Sequence, residues 1–220
     1  MEFAVRMTCS TCEEDVGKAL RGVGGVRSVY TDAENDLVLV ETNLPAAHVQ
    51  DLLEATGKLV LFRGFGSAVD SVTSSAAVAI FRKNEVKGLA RFLQVDDESF
   101  VVDGTIDGLQ PGKYNVRVRQ FGDLSRGFLS CGDVFSTSGA GPAEGELGLV
   151  HVDNTGRAQF LYKSEKMKVN DLIGRSLSID KGEVFACAII ARSSGIFQNK
   201  KRFCTCDGVS QWDEAARMKL

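Results

Sequence analysis

The hydrophobic period of this 220-residue chain changes near residue 67, and that change limits the possible folds more than any other feature. Before this point, two segments have apolar residues at helical spacing, and the short apolar runs on either side of them predict strands. Downstream, short alternating segments are separated by glycine-rich turns, which is typical of an antiparallel sandwich or barrel. Gly64-Phe65-Gly66-Ser67 breaks the composition and predicts a linker. We therefore expect an α+β domain over residues 1–67, an all-β domain over 68–194 and a tail over 195–220.

The N-terminal region predicts the element order β-α-β-β-α-β, which is that of a ferredoxin-like split βαβ unit. The first helix carries Cys12 and Leu20 on one apolar face, and Gly24-Gly25 is expected to end it. Pro45 is expected to begin the second helix and Gly57 to end it.

The middle region predicts a Greek-key barrel or sandwich of about eight antiparallel strands. Asn154-Thr155-Gly156 is typical of a further hairpin. Strand-like segments occur at Ala76–Phe81, Gly88–Val95, Phe100–Ile106, Tyr114–Phe121, Leu177–Ile179 and Val184–Ala191.

Cys9 and Cys12 form a Cys-x-x-Cys pair at the predicted start of the first helix. Cys9 is expected in the preceding loop and Cys12 in the first helical turn, where the helix N-terminus favours a thiolate. No histidine or carboxylate stands nearby at a ligand spacing, and two soft thiolates in a shallow site suit Cu(I). A thioredoxin-like dithiol is the main alternative. Structural zinc needs about four ligands, and the chain has no second Cys-x-x-Cys.

Charge and hydropathy exclude several classes of function. A formal net charge of −3 gives no electrostatic case for binding nucleic acid or an anionic membrane. No apolar run approaches the roughly 20 residues of a membrane span. The first residues lack a basic region followed by an apolar segment, so we expect no signal peptide and a cytoplasmic location. Six cysteines in that compartment indicate metal or redox chemistry more than a disulfide framework.

The loop Met7-Thr8-Cys9-Ser10-Thr11-Cys12, within this order of helices and strands, resembles the heavy-metal-associated domain of copper chaperones. The resemblance implies that Cys9 and Cys12 bind Cu(I), while Met7 packs under the loop and is not a ligand. Lys58 matches a basic residue that lies near the metal in that family. Its charge would offset a bis-thiolate site, although an ordinary lysine at a strand start fits the sequence as well.

The middle region resembles Cu/Zn superoxide dismutase over roughly residues 70–195. The motifs that carry the resemblance are Gly108-Leu109-x-Pro111-Gly112, Phe121-Gly122-Asp123-Leu124, Gly145-Glu146-Leu147-Gly148, Gly174-Arg175-Ser176-Leu177 and Ala186-Cys187. The family's metal-ligand positions fall on Arg117, Arg119, Val134, near Gly139, Ala143, Glu146 and Asp180. Only His48 and His151 exist in the chain, so a site of several imidazoles cannot be assembled. We therefore expect neither zinc in the barrel nor dismutase activity.

The same resemblance implies a disulfide to Cys187, but its usual partner position holds Phe128. Cys131, three residues further on, could replace it. A Cys131–Cys187 disulfide and two separate buried thiols both fit the sequence.

The tail contains Cys204-Thr205-Cys206 after a basic run and ends in a charged segment with Trp212. A tail this polar is expected to be mobile. Cys-x-Cys is too tight for an unstrained disulfide, so such a bond would be strained and oxidising. The basic run favours a thiolate, and Trp212 is expected to anchor on a partner.

Together the three parts resemble the family of copper chaperones for superoxide dismutase. The resemblance implies that the barrel forms a heterodimer with Cu/Zn superoxide dismutase, and that the chain delivers Cu(I) and promotes oxidation of the target's disulfide. Cys204 and Cys206 would act in that oxidation and also bind copper. Strand alternation requires one of Ile189 and Ile190 to point into the barrel. The implied docking residues are Phe121, Gly122, Gly174, Arg175, Ile189, Ile190, Ala191 and Arg192.

Two other functions are kept as alternatives: a thiol-disulfide oxidoreductase that uses Cys9 and Cys12, and a copper-loaded dismutase with a fused metal-loading domain. The sequence does not decide whether the chain forms a homodimer when the target is absent.

Overall fold

The computed structural model describes residues 1–66, 75–83, 85–137, 143–199 and 208–218. The chain divides into two compact units. One contains Met1–Ser71 and Ser194–Leu220, and the other contains Val72–Ser193. In the part of the chain that is described, no helix is long and apolar enough to span a membrane.

The first unit has the predicted β-α-β-β-α-β order, which confirms the α+β expectation. Its sheet is antiparallel with strand order β2-β3-β1-β4. The core contains Phe3, Val16, Leu20 and Leu53, all fully buried. The elements are β1 (Glu2–Val5), α1 (Ser10–Leu20), β2 (Val26–Asp32), β3 (Leu37–Thr42), α2 (Ala46–Glu54) and β4 (Val60–Gly64).

Helix α1 ends earlier than Gly24-Gly25, the position that the sequence predicted. The last helical residue is Leu20, and Gly22 follows with a φ of 86°. Glycine adopts this left-handed conformation without a steric penalty, so the chain leaves the helix as soon as Gly22 is reached. At the other helix the prediction holds, because Pro45 occupies the N-cap of α2.

The second unit is a closed antiparallel barrel with strand order β10-β7-β6-β5-β12-β11-β8-β9, which confirms the predicted all-β fold. Its core is apolar and contains Phe81, Phe92, Phe100 and Ile106. The strands are β5 (Ala76–Lys83), β6 (Val86–Gln94), β7 (Phe100–Asp107), β8 (Gly112–Arg119), β9 (Glu146–Val152), β10 (Ala158–Ser164), β11 (Ser176–Lys181) and β12 (Glu183–Arg192). A short 3₁₀ helix (Gly127–Cys131) precedes β9, and α3 (Val169–Leu172) precedes β11.

The described tail residues pack more extensively than the polar sequence predicted. Ile196 is only 4% exposed and lies against Gly64 and Gly66, where a side chain would leave no room for the tail backbone. The backbone N–H of Phe197 donates a hydrogen bond to the Glu2 carboxylate at 2.5 Å. For these residues the expectation of a mobile tail was wrong. It was based on the average polarity of the tail, whereas the individual apolar residue Ile196 is buried.

The tail also contains a helix that the sequence analysis missed, α4 (Gln211–Met218). Arg63 of β4 donates a hydrogen bond to the Gln211 side chain at 3.2 Å. Ser210 stands just before the helix, and its hydroxyl both donates to the Asp213 carboxylate and accepts from the Asp213 N–H. This is an N-terminal capping signal that could have indicated the helix.

Candidate metal centre and docking face

The two N-terminal cysteines lie side by side where β1 leads into α1. Cys9 is the N-cap residue of the helix and is exposed, and Cys12 is half-buried in the first turn, as predicted. The Cys9 thiol donates to the Cys12 sulfur at 3.3 Å, and the Thr8 hydroxyl lies 3.8 Å from that sulfur. Two sulfur atoms at this separation, open to solvent on one side, can hold one small thiophilic ion.

The surroundings of Cys12 favour its charged form. A backbone hydrogen bond from Thr8 and a side-chain hydrogen bond from Cys9 lower the pKa of Cys12 to about 7. The Lys58 ammonium group adds a smaller electrostatic contribution in the same direction. Lys58 is largely buried, and its ammonium group lies 4.0 Å from the Asp15 carboxylate of α1. This ion pair keeps the ammonium group near helix α1, which also carries Cys12. Met7 is 6% exposed and belongs to the core cluster.

At the barrel positions that correspond to dismutase ligands, the structure contains a network of ion pairs. Arg117 donates from Nε to both oxygens of Glu146 at 2.8 and 2.9 Å, and from Nη1 to Asp180 at 2.7 Å. Arg119 donates to the other oxygen of Asp180 at 3.1 Å and to the Ser178 hydroxyl at 2.9 Å. These contacts with Glu146 and Asp180 raise the pKa of Arg117, so its positive charge is fixed.

The remaining ligand positions also lack metal-binding side chains. Val134 forms an isolated bridge with Arg119, Ala143 is apolar, and Gly139 lies outside the described residues. Among the residues that the structure describes, no group of three His, Cys, Asp or Glu side chains could hold a metal ion.

Five of the predicted docking residues come together on the barrel surface. The Ser176 hydroxyl donates to the Phe121 carbonyl at 2.7 Å, and the Gly174 N–H donates to the Ile190 carbonyl at 2.9 Å. Gly122 is so close to the Gly174 backbone that a Cβ would lie 2.3 Å from the Gly174 oxygen. We use the name docking face for the surface predicted to contact dismutase, which comprises Phe121, Gly122, Gly174, Arg175 and Ile189.

Ile190 is not part of the docking face, although the sequence analysis included it. It is fully buried in the barrel core, whereas Ile189 is 44% exposed. Side chains alternate across a strand, so only one of these two neighbours can face outward. Ala191 and Arg192 continue β12 and are exposed.

Arg175 stabilises the docking face through contacts with other residues of the same chain. Its guanidinium group lies 3.6 Å from the centre of the Phe135 ring. It also donates hydrogen bonds to the carbonyl oxygens of Gln120 and Asp171, both at 2.7 Å. Arg175 was predicted by resemblance, but these contacts were not, and those with Gln120 and Phe135 join segments that are distant in sequence.

Cys131 and Cys187 are adjacent free thiols in the structure. Burial, together with the neighbouring Cys131 sulfur, raises the pKa of Cys187 to about 12. The Cys131 thiol donates weakly to the Asp123 carbonyl at 3.5 Å. Cys187 also borders a cavity of about 230 Å³, whose other lining residues are Arg82, Lys83, Leu124, Gly127, Phe128 and Ala186.

The tail residues that the sequence singled out are only partly described. Trp212 lies in α4 and is half-buried. Cys204 and Cys206 lie outside the described residues.

Comparison with known proteins yields two family matches that follow the two units. The model of the heavy-metal-associated domain matches residues 2–60, and the model of copper/zinc superoxide dismutase matches residues 86–186. The "Copper chaperone for superoxide dismutase" of Rattus norvegicus is 42% identical over 99% of this chain and 89% of its own length. The chain belongs to the copper chaperone for superoxide dismutase family. The human member of this chaperone family is also 42% identical, with the same coverage.

Members of the chaperone family from more distant organisms also match nearly the whole chain. The "chloroplastic/cytosolic" chaperone of Arabidopsis thaliana is 35% identical over 96% of this chain and 69% of its own length. Among solved structures, the clock protein EA4 is similar over 60% of this chain and 99% of its own, with a TM-score of 0.50 and 25% identity.

Proposed function

We propose that this chain carries Cu(I) on Cys9 and Cys12 and delivers it to Cu/Zn superoxide dismutase. The observation that carries the proposal is the pair of sulfur atoms 3.3 Å apart at the open start of α1. The low pKa of Cys12, about 7, supports a bound thiolate at neutral pH. Thiolates are the ligands that Cu(I) prefers, and no harder ligand is clustered with them in the described structure. Lys58 offsets the negative charge of the loaded site.

The barrel serves recognition in this proposal. A fold similar to the target can present the target's own self-complementary surface and form a pseudo-twofold heterodimer. The exposed side chains of Phe121 and Ile189 supply its apolar contacts, and the contacts of Arg175 fix the backbone around them. Because such a surface is self-complementary, a homodimer in the absence of dismutase is a second assembly that the same residues would form. Trp212 of α4 adds an anchor outside the barrel.

In this account, Cys204 and Cys206 oxidise two thiols of the target to its disulfide. At copper, oxygen or peroxide removes two electrons from one tail thiolate and converts it to a sulfenic acid. A target thiolate attacks that sulfur and displaces hydroxide, which leaves a mixed disulfide. The second target thiolate then attacks the target sulfur and releases the tail thiolate. The second tail cysteine holds Cu(I) during this sequence.

We place the protein in the cytoplasm and regard it as a chaperone without dismutase activity. The six cysteines of the chain fit metal or redox chemistry in a reducing compartment better than a disulfide framework. Relatives at 42% identity are named chaperones, and the barrel positions that would bind copper contain Arg117, Arg119 and Asp180.

Two measurements on the full chain test this function. In competition with a Cu(I) chelator, Cys9→Ser/Cys12→Ser should lose tight copper binding, while the control Cys204→Ser/Cys206→Ser should retain one tightly bound ion. Native mass spectrometry with reduced, zinc-bound dismutase should show a complex of one chain and one dismutase subunit. Undiminished copper binding by the first variant, or the absence of that complex, would contradict the proposal.

A further inference from the structure

The dismutase family implies metal ions inside the barrel, but the residues of this chain do not fit them. At the corresponding positions two arginines and two carboxylates contact each other directly. A guanidinium group remains protonated at all physiological pH values and has no lone pair to give a metal. Arg117 and Arg119 therefore supply positive charge where a metal site requires ligands.

The two carboxylates that could act as ligands are already occupied by donors. One Asp180 oxygen accepts from Arg117 at 2.7 Å and from the Asn115 amide at 3.2 Å, and the other accepts from Arg119 at 3.1 Å. Both Glu146 oxygens accept from Arg117. Since Asp180 is only 1% exposed, water cannot readily replace these donors.

The network is neutral and connects three adjacent strands. Arg117 and Arg119 lie on β8, Glu146 on β9 and Asp180 on β11. Two positive and two negative charges cancel, and each charge has an opposite partner within 3.1 Å. A divalent cation that entered here would have to displace both guanidinium groups or remain beside them.

We propose that Arg117 and Arg119 exclude divalent metal ions from the barrel. This role is separate from the copper-carrying function proposed above, because carboxylates do not compete with thiolates for Cu(I). The guanidinium groups thus act as specificity-determining residues, because they occupy both carboxylates that lie at described positions of dismutase ligands.

Arg117 touches both carboxylates, so Glu146 and Asp180 lie within reach of a single cation. Removing both guanidinium groups should uncover a two-carboxylate site. In a full-length background with Cys9, Cys12, Cys204 and Cys206 changed to serine, Arg117→Gln/Arg119→Gln should bind one Zn²⁺ per chain in equilibrium dialysis. Zinc at about 100 times its Kd should then shift the unfolding equilibrium roughly 100-fold towards the folded state.

The matched control is Arg157→Gln, which breaks the exposed barrel ion pair between Arg157 and Asp107 at 3.1 Å. It should bind no zinc and show no zinc-dependent change in unfolding. The background protein with both arginines should also take up no zinc, and this measurement does not depend on the double variant folding. Stoichiometric zinc in the barrel of the background protein would overturn the proposal. A folded Arg117→Gln/Arg119→Gln variant without zinc binding would also overturn it. A failure of Cys9 and Cys12 to bind copper would appear only in the chelator competition. It would not change the zinc results, because those are measured in a background that lacks both cysteines.

Discussion

Replacing Ile189 with aspartate should abolish docking on dismutase and leave the barrel folded. Ile189 is 44% exposed on the docking face, while its neighbour Ile190 is fully buried and supports the core. A polar residue at position 189 therefore disturbs only the surface. Substitutions at exposed sites usually change the free energy of unfolding by no more than about 0.5 kcal/mol.

The size of the binding effect follows from the exposed area of the side chain. With 44% of isoleucine exposed, roughly 80 Å² of mostly apolar surface is available to a partner. Covering it should contribute about 2 kcal/mol, or roughly 30-fold in Kd. Ile189→Ala should lose most of this amount. Ile189→Asp should lose all of it and several kcal/mol more, because an unpaired carboxylate would be buried.

The assay is calorimetric titration of each variant into reduced, zinc-bound dismutase, with far-UV circular dichroism to verify folding. Leu149→Asp is the matched control, because Leu149 is 64% exposed on β9, which is not adjacent to β12 in the barrel. Ile189→Asp should show no measurable binding, and Leu149→Asp should bind like the wild type. Unchanged affinity of Ile189→Asp, with or without a loss in Leu149→Asp, would show that the docking face lies elsewhere.

Three further predictions concern the cysteines and the tail. Cys204→Ser/Cys206→Ser should bind dismutase normally but form the target's disulfide at least tenfold more slowly in a gel-shift assay; the wild-type rate would show that the tail is dispensable. Ile196→Asp should free the tail and accelerate its cleavage by trypsin, whereas an unchanged cleavage rate would mean that Ile196 does not hold it. Iodoacetamide labelling of Cys12 should rise with pH and level off above its pKa of about 7, while Cys187, with a pKa of about 12, should remain nearly unlabelled at pH 8; equal labelling would contradict these environments.

Local patterns predicted most of the fold and the metal loop. The Cys-x-x-Cys spacing, the apolar run before it and the helical period after it placed Cys9 in the loop before the helix and Cys12 in the first turn, and the structure has Cys9 at the N-cap and Cys12 in that turn. The alternating strands gave the barrel, and alternation alone showed that only one of Ile189 and Ile190 faces outward. Which of the two does so depends on how β12 pairs with β5 and β11, and that register is a tertiary property.

The features that sequence reasoning missed depend on contacts between distant residues. The sequence showed that arginines replaced ligands, but the bridge from Asp180 to Arg117 spans 63 residues and became visible only in the folded barrel. The packing of Ile196 also depends on residues distant in sequence. Gly64 and Gly66, more than a hundred residues earlier, lack the side chains that would collide with the tail at this position. An average of tail polarity could not reveal one apolar residue with a specific partner surface.

The central claim is that copper passes directly from this chain to dismutase, and one activation assay tests it. Copper-loaded protein is mixed with reduced, zinc-bound, copper-free dismutase in an excess of a Cu(I) chelator, oxygen is admitted, and superoxide decay is measured. The account predicts full activation by the wild type and none by free copper or by Cys9→Ser/Cys12→Ser, because the chelator captures any copper that leaves the protein. Equal activation by free copper under the same chelator, or full activation by the Cys9→Ser/Cys12→Ser variant, would contradict it.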